Sequence, residues 1–142
     1  MVWLSWVVLG LLVAHDVTHV ADDGLETPLG LFVLVAVPQW LFLAVAMTVV
    51  VRGDAAHARL AALLIGASVA IGFTAVHLLP GTPTSFWDVS PSGISWVLAW
   101  LTTIAGLALA LLAWSVSRSA GGASRGTPPS PRARRASGST RP

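Results

Sequence analysis

The chain has 142 residues, of which 55% are hydrophobic and 10% are charged. Soluble domains carry about 25% charged residues, so this composition argues against a soluble domain and indicates a protein embedded in a bilayer. The chain has no cysteine, which excludes disulfides, thiolate metal sites and thiol nucleophiles. All eight basic residues are arginine, and six of them lie in the last 25 residues, so positive charge is concentrated at the C-terminal end.

Four apolar segments are long enough to cross a membrane as helices. Crossing about 30 Å of hydrocarbon takes about 20 apolar residues in a helix. Short polar joints connect the segments, so consecutive helices should run antiparallel. The sequence therefore predicts an all-α, integral membrane four-helix up-down bundle. Its predicted helices cover residues 2–20, 29–51, 60–79 and 94–116.

Residues in the joints predict where helices begin. Pro28 suits the opening of the second helix, and Asp54 can cap the N terminus of the third. Ser90 followed by Pro91 is a favourable start for the fourth, since proline is well tolerated at the first helical position. In the same joint as Asp54, His57 is expected to be a solvated loop residue.

The charges that flank the spans predict the orientation. Arg52 and Arg59 flank the middle joint and Arg118 follows the last span, whereas the other two joints contain acidic residues and no basic ones. Arginines near a span are retained on the cytoplasmic side, so both termini should be cytoplasmic. The absence of lysine and the abundance of Ala, Val, Gly and Leu are typical of high-GC bacteria. We therefore expect a multi-pass protein of a bacterial cytoplasmic (inner) membrane.

The last segment, residues 117–142, is predicted to be a disordered basic cytoplasmic tail. It is rich in Ser, Gly, Pro and Arg and has almost no large apolar residue, so it cannot bury enough surface to fold alone. Its arginines can lie against anionic lipid headgroups, each contributing about 1 kcal/mol near the surface. Nucleic acid is a poorer fit, because the tail lacks interleaved aromatic residues and a folded platform.

The first helix carries a polar stripe towards its C-terminal end. His15, Asp16 and His19 fall within one arc of roughly 100°, and Trp3 and Trp6 lie on the other side. An aspartate that faces lipid costs about 2.5–3.5 kcal/mol, so the stripe should face the bundle interior. Five further residues extend the same stripe: Ser5, Val8, Leu12, Asp22 and Asp23.

The other helices offer faces for the stripe to meet. His77 lies near the end of the third helix, and small residues on its face and on a face of the fourth helix favour close helix contacts. In the second helix, Gln39 beside Pro38 is expected to face the interior. The two small-residue faces are Gly66, Ala67, Ala70, Phe73 and Thr74, and Ser95, Ala99, Thr102, Gly106, Ala110 and Ala113.

Two histidines four residues apart on a helix can bind one metal ion, so His15 and His19 are candidate ligands. His77 would supply a third nitrogen and Asp16 or a water the fourth ligand, a donor set suited to zinc, copper(II) or iron. Four acidic residues could support the site or attract cations from outside: Asp22, Asp23, Glu26 and Asp88. The plainer alternative is that these side chains only hydrogen-bond between helices.

Two other classes of function remain open. Small multidrug exporters have a comparable number of spans and an essential acid in the first helix, so Asp16 could serve proton-coupled transport, although it lies nearer the outer end. The chain could instead be an accessory subunit of a larger membrane complex, or a homo-oligomer. Enzymatic activity has less support, because no serine or threonine is placed to act as a nucleophile with the histidines. A second axial pair for haem is also lacking.

Overall fold

A computed structural model describes residues 1–23, 29–81, 85, 87 and 92–123, and within its helices it leaves aside the side chains of residues 19, 20, 22, 23, 29–33, 35 and 121–123. The described residues form four long helices and no strand. The all-α class is therefore confirmed. The helices are α1 (Val2–Asp23), α2 (Leu29–Arg52), α3 (Ala55–Phe73) with a π-helical turn (Thr74–Leu78) directly after it, and α4 (Gly93–Ala123).

Helix α3 begins earlier than predicted, and its cap explains why. The carboxylate of Asp54 accepts hydrogen bonds from the backbone N–H groups of Ala56, at 2.9 Å, and of His57, at 3.0 Å. These two donors have no partner within the helix, so the side chain that satisfies them fixes the start at Ala55. The predicted cap is confirmed. His57, expected in a loop, lies instead in the first turn of α3.

Helix α3 ends in the π-helical turn because of the residues that follow it. The backbone N–H of Leu79 donates to the carbonyl of Thr74 at 3.0 Å, a bond that spans five residues. Leu79 itself is extended, with φ −86° and ψ 135°, as expected for a residue that precedes a proline, here Pro80. Gly81 then turns the chain at a φ of +85°, a conformation that glycine adopts without strain.

Helix α4 begins within one residue of its predicted start but extends beyond its predicted end. The helix begins at Gly93, after Ser90 and Pro91, and the hydroxyl of Ser92 accepts a hydrogen bond from the backbone N–H of Ser95 at 3.3 Å. Ser90 and Pro91, which were predicted to start this helix, lie outside the described residues. At its other end α4 continues to Ala123, so residues 117–123 belong to the helix. Residues 124–142 of the predicted tail, and Pro28, lie outside the described part of the chain.

Helices α3 and α4 form the closest contact of the fold. A Cβ atom placed on Gly66 would lie 2.5 Å from the carbonyl oxygen of Gly106 and 2.6 Å from the backbone nitrogen of Ala110. One placed on Gly106 would lie 3.1 Å from the backbone nitrogen of Ala70. Because Gly66 meets Ala110 while the later Ala70 meets the earlier Gly106, the two helices run antiparallel. Helix α1 packs mainly on α4, and α2 packs mainly on α3.

Burial follows the predicted faces closely on α1. Trp3 and Trp6 are 78% and 51% exposed on the opposite side of the helix. The α3 and α4 faces of small residues are likewise buried or half-buried. Four residues of the inward stripe are almost completely buried, with exposures of 0% for Ser5, 0% for Val8, 1% for Leu12 and 1% for His15.

Helix α2 departs from its prediction at Gln39. The side chain of Gln39 is exposed, whereas Leu43 and Val50, on the same face, are 2% and 3% exposed. Among the described side chains of this face, the first that is buried is Leu43, one turn after Gln39. Trp40 of α2 contacts α1 through its hydrogen bond to Asp16. The expectation that Gln39 faces the interior was therefore wrong.

Two of the helical segments are long and apolar enough to cross a membrane by length and composition. They cover Ala55–Leu78, which includes the π-helical turn, and Gly93–Ala120. Two further apolar segments, Val2–Thr18 and Ala36–Arg52, are shorter. These assignments concern the described residues. By this measure membrane association has weak support, since the core helix of a soluble protein passes the same test.

Candidate functional site

His15 is the most deeply buried of the predicted site residues whose side chains the structure describes. It lies on the inward stripe of α1 and is 1% exposed. Its ring packs edge to face against Phe73 of α3, with 4.7 Å between the ring centroids and 65° between the planes. The stripe of α1 therefore places an imidazole inside the contact between α1 and α3, where an apolar residue would be the usual occupant.

His77 meets His15 from the π-helical turn. The two ring centroids are 4.9 Å apart, with 65° between the planes. Phe73 lies beside both rings, 5.3 Å from the centroid of His77. We call His15, Phe73 and His77 the histidine cluster. His77 is half-buried, so the cluster has one enclosed imidazole and one that is partly accessible.

The backbone at His77 is unusual in a way that often accompanies function. π-helical turns are rare, and they are frequently found at functional sites. Here the turn carries His77 four residues after Phe73, and both side chains contact the ring of His15. The ring of His15 on α1 is thus held between Phe73, the last residue of α3, and His77 in the π-helical turn.

Asp16 is positioned by a residue that the sequence analysis did not single out. The indole Nε1–H of Trp40, on α2, donates a hydrogen bond to Oδ2 of Asp16 at 3.1 Å. Both residues are half-buried. A tryptophan in an apolar segment usually has a hydrogen-bond acceptor for its indole N–H. The position of Trp40 in the apolar α2 was therefore the signal that could have revealed this bond. This bond joins α1 to α2 next to the histidine cluster.

The remaining predicted site residues fall outside the described side chains. The backbones of His19, Asp22 and Asp23 belong to α1, but their side chains are not among those described, and Glu26 and Asp88 lie outside the described residues altogether. Among the described residues, no group of three or more His, Cys, Asp or Glu side chains could hold a metal ion. Of the proposed ligands, the structure brings His15 and His77 together.

Two tryptophans that follow His77 in the sequence, Trp87 and Trp96, form a pair. The indole N–H of Trp87 donates to the backbone carbonyl of Leu78, the last residue of the π-helical turn, at 2.8 Å. Its ring lies edge to face against that of Trp96 on α4, with centroids 5.1 Å apart. This arrangement ties α4 to the end of the turn that carries His77.

His57 is separate from this site. It lies in the first turn of α3, at the opposite end of that helix from Phe73, and its Nδ1 is 2.7 Å from Oδ2 of Asp54. The backbone N–H of His57 lowers the pKa of Asp54, and the hydrogen bond from the His57 ring lowers it further. Both side chains are largely exposed, so His57 is a surface residue that can serve as a control in experiments on the other histidines.

Comparison of the chain with protein-family models, curated proteins and solved structures finds no match. The fold and the site define the structural class of the protein. It is an all-α protein of four long helices within its described residues, with a histidine pair between its first and third helical segments.

Proposed function

We propose that this chain is an integral membrane protein whose four helices form an up-down bundle and whose histidine cluster binds a divalent transition metal. His15 and His77 supply two nitrogen ligands, and His19, one turn after His15 on α1, supplies the third. Asp16 contributes negative charge beside them. The observation that carries the proposal is the approach of the His15 and His77 rings to 4.9 Å.

The surface of the helices supports the membrane placement. Large apolar side chains are exposed on all four helices, among them Val17, Leu41, Ile71 and Ile104, at 63%, 64%, 68% and 58%. Less than half of each of the two long apolar segments is buried inside the bundle. Soluble monomers rarely expose continuous apolar surface of this extent, whereas a bilayer covers it favourably.

The antiparallel packing of α3 and α4 supports the proposed orientation. In that register the N-terminal part of α3 lies beside the C-terminal part of α4, so Arg59 and Arg118 belong to the same end of the bundle. The guanidinium of Arg118 lies 4.8 Å from the ring centroid of Trp114, an arrangement suited to a membrane interface. The arginine end would be cytoplasmic, and the histidine cluster would lie towards the other side.

The ring geometry supports metal binding. Two imidazoles that share one zinc ion through bonds of about 2.0–2.1 Å have ring centroids roughly 5 Å apart. His15 and His77 are already at this separation, so a metal would require rotation of the rings and little movement of the helices. Nitrogen ligands with a nearby carboxylate suit zinc, copper(II) or iron, and we propose binding without a chemical reaction.

The test is the metal content of the detergent-purified protein after loading with zinc and removal of excess metal. We expect roughly one ion per chain for the wild type, since the proposed site holds a single four-coordinate ion. His15→Ala and His77→Ala should each lose most of it, while the surface control His57→Ala should retain it. Cobalt(II) gives a second readout, because its visible absorption reports tetrahedral nitrogen and oxygen ligation in variants that fold. Equal metal content in all four proteins would refute the proposal.

The bond between Trp40 and Asp16 favours a second candidate, proton-coupled transport. An acidic residue that is half-buried between apolar helices and linked to a second helix is a common element of proton pathways. Asp16→Asn keeps an oxygen acceptor for Trp40 but cannot release a proton. Loss of proton-coupled efflux from proteoliposomes with unchanged metal content would favour transport over metal binding.

A further inference from the structure

The π-helical turn determines the direction in which the side chain of His77 points. Each residue of an α-helix advances by about 100° around the helix axis. The π-helical turn is wider, because the hydrogen bond from the backbone N–H of Leu79 to the carbonyl of Thr74 spans one residue more than in an α-helix. Each residue of the turn therefore rotates by less. If the turn rewound as an α-helix, His77 would rotate around the axis, away from its present position beside His15.

The end of the turn needs a hydrogen-bond donor from outside the helix. A helix leaves the carbonyls of its last residues without donors from its own backbone. Here Leu79 is extended and Pro80 has no N–H, so the helical hydrogen bonds cannot continue through them. The carbonyl of Leu78, the last of the turn, accepts a hydrogen bond from the indole N–H of Trp87 at 2.8 Å. A side chain from the following joint thus supplies a donor that the helix lacks.

Trp87 is itself held in place by two further contacts. Its backbone N–H donates to Oγ of Ser85 at 3.3 Å, and Ser85 is completely buried. Its ring lies edge to face against that of Trp96, and Trp96 packs against the hydrophobic core. Edge-to-face aromatic pairs are favourable beyond the area that they bury. Trp87 therefore connects the packed part of α4 to the end of the turn, although it is itself 62% exposed.

We propose that Trp87 is a positioning residue for the histidine cluster, whose indole N–H holds the carbonyl of Leu78 and thereby keeps His77 beside His15. Leu78 follows His77 directly in the chain, so a fixed carbonyl at Leu78 restricts rotation of the backbone at His77. The consequence for metal affinity rests on the proposed function, since only a His77 ring beside that of His15 can share an ion with it. The position of His77 itself does not depend on a metal.

Trp87→Phe tests the hydrogen bond, because phenylalanine keeps an aromatic ring for the contact with Trp96 but has no N–H donor. Trp100→Phe is the matched control. It makes the same change at a tryptophan of α4 that is 46% exposed and makes no hydrogen bond within the part of the chain that the structure describes. Both variants are compared with the wild type as full-length proteins in detergent, and their unfolding free energies are measured alongside.

Two measurements on the metal-free protein report the turn directly. Hydrogen exchange of the backbone amides of residues 74–79 should be roughly 2- to 10-fold faster in Trp87→Phe, the factor expected for one lost hydrogen bond, and unchanged at the start of α3. Acylation of His77 by diethyl pyrocarbonate should become faster by a similar factor, with the exposed His57 of the same chain as the internal reference. Unchanged rates in either measurement, or equal changes in Trp100→Phe, would overturn the proposal.

Titration with cobalt(II) then connects the position of His77 to metal binding. The affinity of Trp87→Phe should be about 2- to 10-fold lower than that of the wild type, whereas Trp100→Phe should bind like the wild type. A purely structural effect would lower the unfolding free energy and leave the affinity of the folded protein unchanged, so faster exchange with unchanged affinity would contradict the positioning role. A wild type that binds no cobalt would refute the proposed function instead, and the two metal-free measurements would still decide the role of Trp87.

Discussion

Substitution of Gly66 by alanine tests whether the crossing of α3 and α4 holds the fold together. The added Cβ atom would lie 2.5 Å from the carbonyl oxygen of Gly106, 2.6 Å from the backbone nitrogen of Ala110 and 3.1 Å from its Cα atom. All three are backbone atoms of α4, so no side chain can rotate away. The substitution must push the two helices apart or tilt one against the other.

The two helices need to move apart only a short distance, but this movement costs a large part of the stability of the fold. Normal carbon contacts lie at about 3.5–4.0 Å, so the helices must separate by roughly 1 Å at the crossing, and such a gap forfeits a quarter to a half of each dispersion contact. Overpacking of this kind typically costs about 1–3 kcal/mol. Since α3 and α4 share the most extensive contact in the fold, we expect the upper part of that range.

The assay is reversible unfolding in mixed detergent, followed by the loss of helical circular dichroism. Gly72→Ala is the matched control, because it lies on the same helix and a Cβ atom there meets nothing within 4 Å. Alanine has the higher helix propensity by about 1 kcal/mol, so this control should be neutral or slightly stabilised. Equal unfolding free energies for Gly66→Ala and Gly72→Ala would refute the close crossing.

Two further predictions concern hydrogen bonds seen in the structure. Trp40→Phe removes the donor to Asp16 and should lower the unfolding free energy by about 1–3 kcal/mol, and a double-mutant cycle should show that the same change costs much less in an Asp16→Ala background. Equal costs in both backgrounds would show that the bond contributes nothing. The pKa of Asp54 is lower in the folded chain than in the unfolded chain, so the ionised carboxylate stabilises the fold at any pH above the unfolded value of about 4. This contribution should be lost as the pH falls from about 4 through the lowered pKa of the folded chain. Asp54→Asn should keep the helix cap but reduce the acid sensitivity in thermal unfolding, and an unchanged pH profile would contradict this assignment.

The approximate helix positions and the inward faces of α1, α3 and α4 followed from the sequence. A polar group costs free energy in an apolar environment, so the stripe of α1 from Ser5 to His15 had to face other helices, and it is buried. The small residues of α3 and α4 mark their contact for a similar reason, since only small side chains permit backbones to approach closely. Asp54 was recognisable as a cap because helix N termini leave backbone donors unsatisfied.

Other features depended on which helices contact each other and on where along each helix the contact lies. Gln39 has the same helical phase as Leu43, but helical phase does not reveal where α2 leaves the core, and Gln39 is exposed. The partner of Asp16 was equally hidden, because a bond from Trp40 joins residues that are 24 positions apart. Likewise, the π-helical turn and the approach of His77 to His15 arise from packing between segments distant in sequence. Periodicity determines the direction of a side chain around its own helix, whereas its neighbour across the bundle is decided by tertiary packing.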